Sequence, residues 1–253
     1  MIIYEYPLNE SVRTLLRLEH LFDRLSRCVV RDESVDHHLA LITLFEVLEV
    51  VARAELKAEL MRDLDRARSQ FSAYRDQPGI SQTALDDLLE RLTQAFNGLN
   101  ALPGKIGAGL QQNDFLTNLR SRIAVPGGTC EFDLPAYYRW QNHPPEVRRK
   151  DLRAWIGPLL PVARTVQLLL SIIRDTGAPQ SVVAVKGQYQ QNMPQGKSFT
   201  LIRIRVDDQW DIVPEITGHR LLMSVRWMQT EGTGVGKPRV SQQDYPFELT
   251  LCT

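Results

Sequence analysis

The sequence predicts an α+β protein, an N-terminal multi-helix domain followed by a small, mostly antiparallel β domain. Two patterns carry that expectation. From Asn9 to about Thr176 apolar residues recur at three- and four-residue spacing, the period of amphipathic helices. From Ser181 onward they alternate with period two, as in half-buried strands. Helices first and strands after them argue against alternating βαβ units. The expected domains are residues 9–176, helical with room for a short strand at 130–133, and residues 181–253, a β domain that an opening strand at 2–6 can join.

Ile2 to Tyr6 is strand-like. Asn9 then offers an N-cap, and Glu10 suits the positive end of a helix dipole. Val12, Leu15, Leu18, Phe22, Leu25 and Val29 follow on one helical face. A second helical region runs from Ser34 to about Tyr74 with a break near Ala52. Leu56, Leu60, Leu64, Phe71 and Tyr74 mark its later buried face. Glu59/Arg62, Asp63/Arg66 and Asp65/Arg68 are i,i+3 pairs suited to a solvated face. Pro78-Gly79 ends this region, and Ser81 or Thr83 caps a helix reaching Asn100. After Pro103-Gly104 come helices at about 113–123, 135–142 and 145–156, with Pro126-Gly127-Gly128 as a tight turn. A longer helix runs from Pro158 to Asp175, with Gly177 as its C-terminal stop. Four strands follow: Val182–Gln190; one with Ile202, Ile204 and Val206 opposite Arg203 and Arg205; one with Met223, Val225 and Trp227 opposite Ser224 and Arg226; and Tyr245–Cys252.

Composition narrows the function. The chain has 253 residues with 30 Lys+Arg against 30 Asp+Glu, so no bulk basic field draws nucleic acid to it. A hydrophobic share of 43% is that of a folded globular chain and not of a disordered one. Cys28, Cys130 and Cys252 are widely spaced and form no CxxC pair, which argues against a disulfide scaffold or a zinc knuckle. The opening residues lack the pattern of a signal peptide. The most apolar stretch, Leu159–Ile173, is broken by Pro161, Arg164 and Gln167 and reads as too short and too polar to span a bilayer. A cytosolic protein with no membrane insertion is expected.

No catalytic motif stands out. The segment Gly232 to Lys237 lacks the spacing of a phosphate loop and is followed by Pro238, so a flexible hairpin is expected there. His37 and His38 point about 100° apart on a helix and do not converge on one metal, so a surface or capping role is expected. Glu131 and Asp133 would share a strand face without a nearby base or nucleophile. No catalytic residue, metal or cofactor is assigned.

The most informative feature is a basic ridge. Arg13, Arg17, His20, Arg24, Arg27 and Arg31 repeat along the first helix, opposite its apolar stripe. It is either a solvated face paired with acids of neighbouring elements or a docking surface for an acidic, amphipathic peptide. Tyr137, Tyr138, Trp140, Trp155 and Trp227 are either core residues or apolar anchors for such a peptide. Nucleic-acid binding through the ridge is the alternative from another class, with Glu19 and Asp23 counting against it.

Five segments in order resemble the ZapD family of bacterial cell-division proteins. They are PLNESVRTLLRLEHLF (7–22), RAELKAELMRDLDR (53–66), VPGGTCEFDLPAYYRW (125–140), GQYQQNMP (187–194) and VPEITGHRLLMSVRWM (213–228). The resemblance implies a non-enzymatic, cytoplasmic, homodimeric division factor. It would bind the C-terminal tail of the tubulin-like protein FtsZ, cross-link and bundle its filaments, and support the midcell Z-ring during septation. It assigns partner binding to Arg17, Arg53, His219, Arg220 and Arg226, and more weakly to Arg120 and Arg122.

Overall fold

A computed structural model describes residues 1–53, 55–229 and 237–253. The hairpin expected at 232–237 therefore lies almost wholly outside the described residues. The fold is α+β. Among the described residues the order is β1 (Ile2–Pro7), α1 (Glu10–Val29), α2 (Ser34–Val51), α3 (Leu56–Ser72), α4 (Gln82–Asn100), α5 (Asp114–Ile123), α6 (Pro135–Gln141), α7 (Pro145–Ile156) and α8 (Leu160–Asp175). The strands β2 (Gln180–Ala184), β3 (Gln188–Asn192), β4 (Leu201–Val206), β5 (Val213–Gly218), β6 (Leu222–Gln229), β7 (Arg239–Val240) and β8 (Tyr245–Cys252) complete it. Two compact units emerge, Arg17–Leu169 and Met1–Leu16 with Leu170–Thr253.

Helix α1, which runs from one unit into the other, begins as its sequence dictates. The Asn9 Oδ1 accepts from the Val12 N–H at 2.8 Å, satisfying one donor that a helix start leaves free. Val12, Leu15, Leu18, Phe22, Leu25 and Val29 are all buried, each worth roughly 1.5–3 kcal/mol of transfer free energy. The break expected near Ala52 separates α2 from α3. Helix α3 packs on α4, and Leu56, Leu60 and Leu64 of the one and Leu85, Leu89, Leu92 and Leu99 of the other are buried. Phe71 and Tyr74 are only half-buried and meet edge-on at 6.0 Å, because they lie where α3 runs out into its turn. Of the three i,i+3 pairs expected on α3, Asp63–Arg66 and Asp65–Arg68 form; Glu59–Arg62 does not among the described residues.

The expected strand at 130–133 is absent. Cys130 N–H bonds to the Gly127 carbonyl at 3.2 Å and Asp133 N–H to that of Cys130 at 3.1 Å, so successive turns use the groups a strand would offer to a ladder. Glu131 and Asp133 are exposed and share no strand face. The expectation for Leu159–Ile173 also changes. Helix α7, a 3₁₀ turn and α8 join into a 31-residue run whose most apolar window has a mean hydropathy of 1.6. By length and composition it is sufficient to cross a membrane, but Val162, Thr165, Val166 and Leu170 are buried in the manner of a core helix.

The β unit is two sheets, β1-β4-β8-β2 and β3-β6-β5, with β7 paired to β6. Strand β1 pairs antiparallel to β4, setting Glu5 opposite Arg203. The inner faces share one core containing Ile202, Ile204, Met223, Val225, Trp227, Tyr245 and Phe247. Trp227 meets Phe247 edge-on at 5.5 Å. The single strand expected at 182–190 is two strands in different sheets. Lys186 and Gly187 take left-handed φ values of 49° and 71° between them. A Cβ on Gly187 would sit 2.3 Å from the Ser241 carbonyl oxygen, so glycine is required twice over. Gly177 is not a left-handed helix stop; its place is set by close packing, with a Cβ there falling 2.4 Å from Thr250 Cγ2. That close approach also accounts for the burial of Thr250 and Cys252, on the face of β8 opposite Phe247 and Leu249. On the outer face of the first sheet, Glu5 accepts from Arg174 Nε at 2.9 Å and from Arg203 Nε at 2.8 Å.

Candidate partner-binding surfaces

The basic ridge of α1 is partly neutralised. Arg13 pairs with Glu10 at 2.9 Å and Arg27 with Asp23 at 2.9 Å. Arg31 meets Asp36 at 3.4 Å, and Arg24 pairs with Glu46 and donates to Thr43 Oγ1. Arg17 and His20 are exposed, and Arg17 has no ion pair among the described residues. The ridge is thus four paired arginines around one available guanidinium.

The contacts of Arg24 with Thr43 and Glu46 set the level of α1 against α2. Seven residues back from Arg24 is Arg17; seven forward from Glu46 is Arg53. Because α1 and α2 double back across a short connection, equal steps of about 1.5 Å per residue bring Arg17 level with the C-terminal end of α2, and Arg53 follows just beyond that end. Arg53 is exposed and borders a shallow depression of about 240 Å³ with Lys57, Met61, Lys105 and Ile106.

Arg120 and Arg122 project from the last turn of α5, where a cation suits the helix dipole. Both are exposed and have no ion pair among the described residues. Arg122 borders a groove of about 410 Å³ with Phe115, Leu119, Asp133, Leu134 and Tyr137. Phe132, 79% exposed, and Tyr138, 49% exposed, stand in the same segment. Of the five aromatic candidates, Tyr137, Trp140 and Trp227 are core residues instead of anchors, and Trp155 is half-buried. The groove wall is rigid because Phe115 stacks on Trp155 at 5.4 Å and Tyr137 on Trp140 at 5.9 Å.

That wall rests on a buried hub that the sequence did not reveal. Arg148, 5% exposed, donates through Nε to His37 Nδ1 at 2.9 Å. Its terminal nitrogens donate to the carbonyls of Gln141, Asp32 and, at 3.0 Å, His143. His37 accepts at Nδ1, so Nε2 carries the proton and donates to the Arg31 carbonyl at 2.8 Å. Burial first, then the charges of Arg148 and Arg149, hold the His37 pKa below its ordinary value. His38 shares a 2.6 Å hydrogen bond with the Tyr137 hydroxyl, and burial lowers its pKa too. The surface role expected of His37 and His38 is corrected, since both help to build the interior of the helical unit; the capping alternative fits His37, which bonds the Arg31 carbonyl just past the end of α1.

In the β unit, His219 and Arg220 occupy the β5–β6 turn, and both are exposed. The His219 Nδ1 accepts from the Leu221 N–H at 3.3 Å, and Arg220 has no ion pair among the described residues. Arg226 lies on the outer face of β6 and pairs with Glu215 of β5 at 2.7 Å. Glu215 was not singled out in the sequence, since only the strand register places it opposite Arg226.

A family model described as ZapD, cell division protein, matches residues 16–226. The match covers the whole unit Arg17–Leu169 and the strands from β2 to Arg226 in β6.

Proposed function

This chain belongs to the ZapD family of cell division proteins, and we propose that it binds the C-terminal tail of FtsZ through basic surfaces and bundles FtsZ filaments. In this reading it acts in the cytoplasm, is recruited to the Z-ring at midcell, and performs no catalysis. The observation that carries the reading is a set of exposed arginines without ion pairs among the described residues, Arg17, Arg120, Arg122 and Arg220, on a chain of zero net charge. Guanidinium forks of this kind take carboxylates in bidentate fashion. The groove beside Arg122 adds apolar surface for the hydrophobic residues of a tail. A homodimer with C2 symmetry would present each basic surface twice and tether two filaments. Many tails per filament raise the effective concentration, so weak single contacts suffice.

The pairing of most of the α1 ridge with internal acids weighs against nucleic acid as the ligand. The test is low-speed co-sedimentation with FtsZ and GTP, run in parallel with FtsZ lacking its C-terminal tail. Pelleting that requires the tail is the expected result. Absence of pelleting with intact FtsZ at low salt overturns the proposal.

A further inference from the structure

The outer face of the β3-β6-β5 sheet has an order of its own. Strand register sets Gln188, Arg226 and Glu215 in one row across the sheet, and Gln190, Ser224 and Thr217 in the next. Thr217 and Ser224 share a 2.7 Å hydrogen bond. Together with Arg226 and Gln188 they line a shallow depression of about 380 Å³ over the three strands. Its polar side chains are amides, hydroxyls and one guanidinium, groups that can hydrogen-bond an extended peptide and hold one carboxylate. Glu215 is not part of the lining. It stands on the other side of Arg226 and takes that guanidinium at 2.7 Å, with both side chains about half exposed at 49% and 48%.

We infer that Glu215 is a built-in competitor that occupies Arg226 until the carboxylate of an acidic peptide displaces it, and so sets the affinity of this face. The inference rests on the proposed tail-binding reading. Arg226 has five N–H donors, and the contact to Glu215 is made through Nη2 at the tip of the guanidinium. An arriving carboxylate either replaces Glu215 or lies beside it, and in the second case like charges oppose one another. Both routes cost affinity, and both costs vanish when residue 215 is neutral. A competitor of this kind favours ligands that bring several carboxylates or arrive in many copies, as a filament does.

The experiment is a titration of a synthetic FtsZ C-terminal tail peptide into the full-length protein, its Glu215→Gln variant, Arg226→Gln, and the double variant. Surface ion pairs of such exposure shift equilibria by a factor of about 1.5 to 5, so Glu215→Gln is expected to bind roughly 2–5-fold more tightly at low salt. The gain should fade near 0.5 M salt, where screening acts within a few ångströms. It should also be absent when Arg226 is already Gln. Glu248→Gln, which removes the comparable cross-strand pair with Arg205 in the other sheet, should leave binding unchanged. Thermal unfolding of each variant verifies that the fold is kept. Unchanged or weaker binding by Glu215→Gln, with wild-type protein binding normally, overturns the inference alone. Failure of the wild-type protein to bind the peptide at all overturns the tail reading and the inference with it.

Discussion

Arg148 and the arginines of α1 are the same residue in opposite circumstances. Arg148 is almost fully buried and spends its donors on His37 and three backbone carbonyls, drawn from the α1–α2 connection, from α2 and from the end of α6. Arg13, Arg17 and Arg27 of α1 reach water, where Arg13 and Arg27 each pair with one carboxylate and Arg17 with none among the described residues. Buried donors have no water to fall back on, so the hub is fixed and structural. Exposed pairs exchange at little cost, so the ridge can give its guanidinium groups to a partner. Burial, more than residue type, decides whether an arginine builds the fold or stays available to a ligand.

The sharpest way to break that contrast is Arg148→Met, which keeps much of the side-chain volume and removes every donor. It strands the buried His37 Nδ1 and three part-buried carbonyls, so a loss of roughly 3–5 kcal/mol is expected in denaturant unfolding. A loss below about 1 kcal/mol would show that the hub contributes little.

Acid tests the same hub more gently. His37 and His38 both have folded-state pKa values below the ordinary value of 6.5. The unfolded chain therefore takes up protons before the folded one. Their contribution is complete above the unfolded pKa and is lost as pH falls through that value toward the folded pKa. For His37 the geometry agrees, since a proton on Nδ1 would confront the Arg148 N–H. Unfolding midpoints should fall between about pH 7 and 5, and His37→Gln should flatten that slope. An unchanged slope in His37→Gln would remove His37 from the account.

Charge reversal on the exposed side should do the opposite, changing binding and sparing the fold. Arg17→Glu is expected to shift stability by no more than about 0.5 kcal/mol while tail-dependent pelleting of FtsZ is lost. Arg53→Glu should act in the same direction, as the two lie at one end of the helix pair. Normal pelleting by a folded Arg17→Glu, Arg53→Glu double variant would place tail binding elsewhere. The smallest effect belongs to Arg27→Ala. It removes an exposed i,i+4 pair with Asp23 and should cost only about 0.3 kcal/mol. A larger loss would mean that the ridge is part of the structural framework.

Much of this was legible before any fold was known. The Asn9 cap, the buried stripe of α1, the Ser81 cap of α4 and the inward faces of β4 and β6 follow from local chemistry and periodicity. The two glycines share one cause. Gly177 reads locally as a helix stop, yet its reason is Thr250, and Gly187 is explained by Ser241. Strand β5 went unrecognised because Pro214 interrupts its donors and its residues alternate only between exposed and half-buried, as on an edge strand. The candidate site divides in the same way. The exposure of Arg17 follows from its place opposite an apolar stripe, whereas the pairing of Arg226 with Glu215 needs the β5–β6 register.

The fold class, the order of the helices and the solvent face of α1 were readable from the chain alone, because each depends on residues within a few positions of one another. Tertiary structure alone decided that His37 is a buried acceptor for an arginine 111 positions away. It likewise decided that the strand expected at 182–190 splits between two sheets, and that Glu215 holds Arg226. Hydrogen bonds and ion pairs depend on distance in space, and a periodic pattern along the chain carries no information about which distant groups the fold will bring within about 3 Å.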